Sequence, residues 1–137
     1  MSTSEHQQRV SVLKRNELAE WLRKPEKDFL IVDVRDIDFF GQKIPGSYHA
    51  SSEIIVAEIS ILLQKISAME KKPEKVIFYC QHCDDRGPTA ARIFSKQSFS
   101  ILPSATIYFL EGGWNAWKNE YEKVPGMMEE ITESQPF

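Results

Sequence analysis

Short apolar runs alternate with segments of helical periodicity along this chain, and this alternation is what most restricts its fold. Residues 29–34 and 76–79 are apolar runs of strand length, continuous enough to be central in a sheet. Between them, a helix capped by Ser52 is predicted, because apolar residues recur at spacings of four and three: Ile55, Ile59, Leu62, Ile66 and Met69. Strands that alternate with helices favour the α/β class, with a mostly parallel central sheet flanked by helices.

The same alternation continues toward both ends of the chain. Residues 10–13 are predicted to be a short strand, and the apolar face formed by Leu18, Trp21 and Leu22 predicts a helix that ends near Pro25. Three further elements are predicted after the central strands: a helix over residues 88–96, a strand over 105–110 and a helix over 114–121. The length of 137 residues suits a single domain with one core.

A cysteine, Cys80, ends the second central strand, and an arginine, Arg86, follows it after five residues. Gly87 and Pro88 then open the next helix, where proline is tolerated because first-turn amides have no intrahelical partner. A loop in this position directs successive backbone N–H groups toward a common centre, where the positive end of the helix dipole favours an oxyanion. The planar guanidinium of Arg86 would add two hydrogen bonds. The pattern therefore predicts an anion site beside a thiol.

The Cys80 thiol is the candidate nucleophile of this loop. An ordinary cysteine has a pKa of about 8.5, and a helix N-terminus or a cationic neighbour can lower it below about 7. A cysteine at the end of a buried strand is more often inert packing, but the spacing to Arg86 and the helix start favour a reactive thiol. Asp84 and Asp85 repel a thiolate, so they are expected to point outward or to take part in catalysis.

Three sets of motifs resemble one family. Residues 80–88 (CQHCDDRGP) resemble the active-site loop of the M-phase inducer phosphatases and of the small eukaryotic arsenate reductases, which share the rhodanese fold. Residues 31–35 (IVDVR) with 44–46 (IPG) resemble the first rhodanese signature, and residues 110–117 (LEGGWNAW) resemble the last. Rhodanese sulfurtransferases carry a loop that is one residue shorter and sized for sulfur. The resemblance therefore implies a phosphate or arsenate substrate.

The resemblance implies a cysteine-dependent phosphatase that acts on phosphorylated protein or an aryl phosphate through a phosphocysteine intermediate. Cys80 would be the nucleophile and Arg86 part of the anion cradle. Asp85 is the candidate proton donor, since an acid also precedes the arginine in the M-phase inducers. The rest of the anion-binding loop is predicted to be Gln81, His82, Cys83, Asp84 and Gly87. The relatives usually have histidine where this chain has Tyr79.

Two other functions stay open on these residues. Arsenate reduction would use the same anion site but needs a thiol to resolve the intermediate, which Cys83 or glutathione with glutaredoxin would supply. The spacing of Cys80 and Cys83 is also that of redox pairs. Cys83 is a poor candidate for the nucleophile, because only two residues separate it from Arg86. The third interpretation is a noncatalytic rhodanese-like module that binds an anion or a partner.

Composition bears on partners and location. A net charge of −3 gives no indication of nucleic-acid binding, and no apolar run reaches the ~18 residues of a membrane span. The N-terminus lacks the basic start of a secretory signal, so a cytoplasmic or nuclear location with reduced thiols is expected. No second ligand pair accompanies the two cysteines, and neither a metal site nor a cofactor is predicted.

The predicted organisation is a rhodanese-like catalytic domain over residues 1–121 and an acidic C-terminal tail over residues 122–137. The tail holds four glutamates against one lysine, with two prolines and one glycine, which favours loose attachment. Within the domain, Asp33 and Arg35 are expected to brace the loop from the end of the neighbouring strand, with a surface ion pair as the alternative.

Overall fold

The computed structural model describes residues 10–82 and 84–137. Every predicted strand and helix is present there, with most boundaries shifted by one or two residues. The elements in chain order are β1 (Val10–Leu13), α1 (Arg15–Arg23), β2 (Phe29–Asp33), β3 (Gln42–Lys43), β4 (Tyr48–His49), a 3-10 turn (Ser52–Ile54), α2 (Ile55–Ser67), β5 (Lys75–Tyr79), α3 (Arg86–Gln97), β6 (Thr106–Leu110), α4 (Gly113–Tyr121) and β7 (Glu129–Glu130).

Five strands form one parallel sheet in the order β1, β6, β5, β2, β4. The α/β class with a parallel central sheet is therefore confirmed. β5 pairs with β2 on one side and with β6 on the other, and Asp33 at the end of β2 is the register partner of Tyr79 at the end of β5. Because the carboxyl ends of parallel strands lie at the same edge, the segments that follow β2 and β5 meet there.

The sheet separates two apolar clusters, and the alternation of side chains along β5 distributes its residues between them. Val76, Phe78 and Cys80 belong to the cluster that contains residues of α2 and α3. Ile77 and Tyr79 belong to the cluster that contains residues of α1 and α4. Cys80 and its neighbour Tyr79 therefore lie on opposite faces of the sheet.

The start of the second helical segment differs from the prediction. Ser51, not Ser52, caps the 3-10 turn, since its hydroxyl oxygen accepts a hydrogen bond from the Glu53 N–H at 3.4 Å. The Ser52 hydroxyl instead donates to the carboxylate of Asp36, a residue that follows β2. The Asp36 carboxylate therefore takes the Ser52 hydroxyl that the sequence pattern predicts to cap the helix. The predicted row of apolar residues is confirmed on the side of α2 that covers the sheet, where Ile59, Leu62 and Ile66 are fully buried.

The acidic segment 122–137 contacts the rest of the domain at several points. β7 pairs with β3 in antiparallel register, and Trp117 Nε1 donates to the carbonyl of buried Met127 at 2.9 Å. The Gln135 side chain binds both backbone groups of His49 on the edge strand β4, each at 3.0 Å. The Glu129 carboxylate also accepts from the Gly46 N–H at 2.7 Å, so the segment is not loosely attached. The functional division at residue 121 stays a prediction.

Candidate active site

The first turn of α4 fixes the loop that follows β5. The Trp114 N–H donates to the carbonyl of Cys80 at 2.9 Å, and the Asn115 N–H donates to the carbonyl of Gln81 at 2.8 Å. Amides in a first helical turn have no intrahelical partner, so they are available to the loop. The glycine-tryptophan motif after β6 therefore contributes to this region through its backbone.

Gly112 allows the tight turn into α4. Its φ of +76° lies in the left-handed region, which glycine adopts at little cost. A Cβ atom at this position would lie 2.5 Å from the Ala116 Cβ and 2.9 Å from Arg15 Nη1. Gly112 is thus required because the backbone is left-handed at this position and because no room is left for a Cβ atom.

We expect Gly112→Ala to lower the free energy of unfolding by about 2–4 kcal/mol, because left-handed strain adds to steric overlap. Gly126→Ala is the matched control, since Gly126 has a φ of +83° and, among the described residues other than its chain neighbours, no atom lies within 4 Å of the place its Cβ atom would take. Urea denaturation should show a loss of about 1–2 kcal/mol for the control. Equal losses in the two variants would show that the overlap at Gly112 is relieved without cost.

Cys80 forms the floor of the loop. It is 1% exposed, and its Sγ accepts a hydrogen bond from the Gly87 N–H at 3.2 Å. Gly87 lies in the first turn of α3. The sulfur is therefore at the positive end of a helix, which is an environment that stabilises a thiolate.

Tyr79, which stands where the relatives usually have histidine, directs its hydroxyl away from the thiol. The hydroxyl oxygen accepts from the Ile44 N–H at 3.1 Å and shares a hydrogen bond with the Ser47 hydroxyl at 3.1 Å. Burial raises the pKa of Tyr79 well above its usual range, so the phenol is neutral. The tyrosine ties β5 to the segment between β3 and β4, on the face of the sheet opposite Cys80.

Asp33 and Arg35 form a buried ion pair, with Oδ2 and Nη2 2.7 Å apart and exposures of 0% and 1%. Burial would lower the pKa of Arg35, but the Asp33 carboxylate raises it above the usual value. The guanidinium lies 4.7 Å from the centre of the Trp114 ring and donates to the Gln42 carbonyl at 3.0 Å. Since Trp114 also binds the Cys80 carbonyl, the pair supports the loop through α4.

Two carboxylates that follow β2 hold the guanidinium of Arg86. Asp38 accepts from Nη1 at 3.1 Å and from Nη2 at 2.7 Å, and Asp36 accepts from Nη1 at 3.2 Å. The contact with Asp38 raises the pKa of Arg86 further above its usual value. A guanidinium carries five N–H donors, and these contacts do not use the Nε–H group. Arg86 can therefore stay in place while it pairs with an anion.

Sequence reasoning missed Asp36 and Asp38. Both stand within five residues of the end of β2, at the sheet edge where the loop after β5 begins. Acidic residues just beyond a central strand are the signal that could have identified them. Burial raises the pKa of Asp36, but hydrogen bonds from Ser51, Ser52, Glu53 and Arg86 lower it to about 2.

We expect these hydrogen bonds to make stability depend on pH below about pH 4. The folded pKa of Asp36, about 2, lies below the ordinary value of 3.8, so its stabilisation is complete above pH 3.8 and is lost as the pH falls toward 2. The shift corresponds to on the order of 2 kcal/mol. Urea denaturation at about pH 6, 4 and 3 should show a smaller acid loss in Asp36→Asn than in the parent protein. The same pH dependence in both proteins would contradict this assignment.

The other predicted loop residues lie at or near the surface. Asp85 precedes α3, is exposed, and its Oδ1 accepts from the Thr89 hydroxyl at 3.4 Å. Gln81 is half-buried, and His82 and Asp84 are exposed. Asp84 and Asp85 are therefore both accessible to solvent, and whether either takes part in catalysis stays a prediction. Cys83 lies outside the described residues, and the roles of the loop residues stay predictions.

Residues 14–120 match the sequence model of the rhodanese-like domain. The chain belongs to this family. A relative, dual specificity phosphatase ibp1 of Schizosaccharomyces pombe, is 31% identical over 139 residues, and the match covers 88% of this chain and 96% of the relative. Further relatives are named CDC25-like phosphatase and arsenate reductase. The resemblance seen in the three sets of motifs is confirmed.

Solved structures show the same rhodanese fold. Ygr203w, described as a yeast protein tyrosine phosphatase of the rhodanese family, has a TM-score of 0.77 at 23% identity, covering 90% of this chain and 94% of that chain. The As-Sb reductase from Leishmania major has a TM-score of 0.71 at 25% identity, covering 90% and 87%. Within the described residues, no helix has the length and apolar character to cross a membrane, and no cluster of three or more His, Cys, Asp or Glu is arranged to hold a metal ion.

Proposed function

We propose that this rhodanese-like protein is a cysteine-dependent phosphatase that acts on phosphorylated protein or an aryl phosphate. The observation that carries this proposal is the position of the Cys80 sulfur, 3.2 Å from the Gly87 N–H at the start of α3. Arg86 begins the same helix, and Asp38 holds its guanidinium with two hydrogen bonds. A thiol at a helix N-terminus beside a fixed arginine suits an anionic substrate. The phosphatase relatives support the same reaction.

The reaction would proceed by two displacements at phosphorus. The Cys80 thiolate attacks in line, so that an S–P bond forms while the bond from phosphorus to the leaving oxygen breaks. Asp85 would give its proton to that leaving oxygen. Water then attacks the phosphocysteine and gives a proton back to the Asp85 carboxylate, so that a P–O bond forms, the S–P bond breaks, phosphate leaves and the thiolate is restored. The Arg86 guanidinium and the loop amides would stabilise the charge on the phosphoryl oxygens in both steps.

One assay series on the purified protein tests this reaction against its rivals. The substrates are an aryl phosphate, arsenate with glutathione and glutaredoxin, and thiosulfate with cyanide. We expect phosphate release from the aryl phosphate. Sulfur transfer to cyanide would contradict the proposal, and silence with all three substrates would favour the noncatalytic binding module.

Arsenate reduction is the second candidate, and it is favoured by the relatives that carry that name. It would use Cys80 and Arg86 in the same way, with Cys83 or glutathione and glutaredoxin resolving the intermediate. Under the phosphatase proposal only water is needed, so Cys83→Ser should keep aryl phosphate turnover within a few-fold of the parent. If Cys83→Ser instead loses arsenate reduction, Cys83 is the thiol that resolves the arsenate intermediate. The arsenate assay with glutathione and glutaredoxin measures this loss.

A further inference from the structure

Large apolar side chains are exposed on the segments that surround Arg86. Ile37 is 95% exposed, Phe40 74% and Ile54 58%. Single exposed apolar residues are ordinary on a protein surface, whereas several around one site indicate an interaction surface. We call these three residues the apolar rim.

The apolar rim is tied to the arginine through the carboxylate of Asp36. Ile37 directly follows Asp36, which accepts from Arg86 Nη1 at 3.2 Å. Ile54 directly follows Glu53, whose N–H donates to Asp36 at 3.1 Å. Ile37 thus follows the residue whose carboxylate contacts the guanidinium, and Ile54 follows a residue whose N–H binds that carboxylate.

The third member, Phe40, borders a cavity of about 330 Å³ beside the loop. Trp114 and Gln81 also line this cavity, and Gln81 directly follows Cys80. The cavity also contains Asp38, which holds Arg86. Two aromatic side chains, Phe40 and Trp114, therefore adjoin the loop on the side of α4, within a lining that is otherwise mostly polar or charged.

We infer that the apolar rim binds apolar side chains next to the phosphorylated residue of a phosphoprotein substrate. This inference rests on the proposed phosphatase function. The surface combines these apolar groups with the Arg86 guanidinium, whose contacts with Asp36 and Asp38 do not use its Nε–H group, and its complement is a phosphate dianion flanked by apolar side chains. A small oxyanion such as arsenate carries no apolar atoms and gains nothing from such a rim. The rim therefore favours a protein segment over a free oxyanion as the substrate.

Binding to a Cys80→Ser variant, in which turnover is removed, tests the inference. The probes are two fluorescent phosphotyrosine peptides that differ only in having leucine or serine on both sides of the phosphotyrosine. We expect the leucine peptide to bind about tenfold more tightly by fluorescence anisotropy. Adding Ile37→Ser and Phe40→Ser should reduce this preference to about twofold or less.

Adding Val12→Ser instead is the matched control, because Val12 is 55% exposed on the outer strand β1 and should leave the preference unchanged. Circular dichroism verifies that each variant is folded, and Ile54→Ser gives a second, independent test of the rim. Equal binding of the two peptides, or a preference that survives both sets of rim substitutions, overturns the inference. If the leucine peptide is preferred but the parent protein hydrolyses no aryl phosphate, the proposed reaction fails while the binding surface stands.

Discussion

Replacement of Cys80 by serine should reduce phosphatase turnover by roughly a thousandfold or more. A serine hydroxyl is not ionised near neutral pH, so it cannot attack phosphorus as a thiolate does. The fold and the binding of oxyanions should persist. Cys80 is buried, with 1% exposure, and serine is of similar size; its hydroxyl oxygen can also accept from the Gly87 N–H. Turnover of an aryl phosphate gives the catalytic effect, and protection of the variant against thermal unfolding by inorganic phosphate gives the binding.

Cys83→Ser is the matched control for this experiment, since it removes the second cysteine of the chain and leaves Cys80 in place. The large loss is expected in Cys80→Ser alone. Unchanged turnover in Cys80→Ser would exclude Cys80 as the nucleophile.

Replacement of Arg86 by lysine should lower kcat by more than about tenfold, with a smaller change in KM. Lysine keeps the positive charge but loses the planar group that can contact two acceptors at once. In this structure two guanidinium nitrogens bind the two carboxylate oxygens of Asp38, at 3.1 and 2.7 Å. An ammonium group cannot keep that contact and also pair two phosphoryl oxygens in the transition state.

Arg92→Lys is the control for Arg86→Lys, because Arg92 lies exposed on the same helix. Urea denaturation of both variants should accompany the kinetics, since Arg86 also joins α3 to the segment after β2. A large loss of kcat with a nearly unchanged urea midpoint assigns the effect to catalysis. Activity of Arg86→Lys equal to that of the parent would refute a role in the anion cradle.

The elements of the fold could be predicted because their signals are local. A run such as residues 76–79 has strand length and no helical periodicity, and the apolar residues of α2 recur at every helical turn. The positions of Cys80 and Arg86 between a strand and a helix followed from the same local pattern, and the structure places both at the start of α3. The family was recognisable because its motifs are contiguous short segments.

The partners of these residues could not be predicted in the same way. Asp36 and Asp38 are separated from Arg86 by 50 and 48 residues, and they meet it only because β2 and β5 are neighbours in register. The docking of residues 122–137 likewise depends on distant partners, the strand β3 and the edge of β4, which composition does not reveal.

The sequence by itself thus determined the α/β class, the family and the placement of Cys80 and Arg86 at a strand-to-helix loop, because backbone preference and hydrophobic periodicity act over a few residues. Only the tertiary structure decided which carboxylates hold Arg86, which groups bind the Tyr79 hydroxyl, and which serine caps the turn before α2. These outcomes depend on strand order and on competition between distant groups for the same hydrogen bonds.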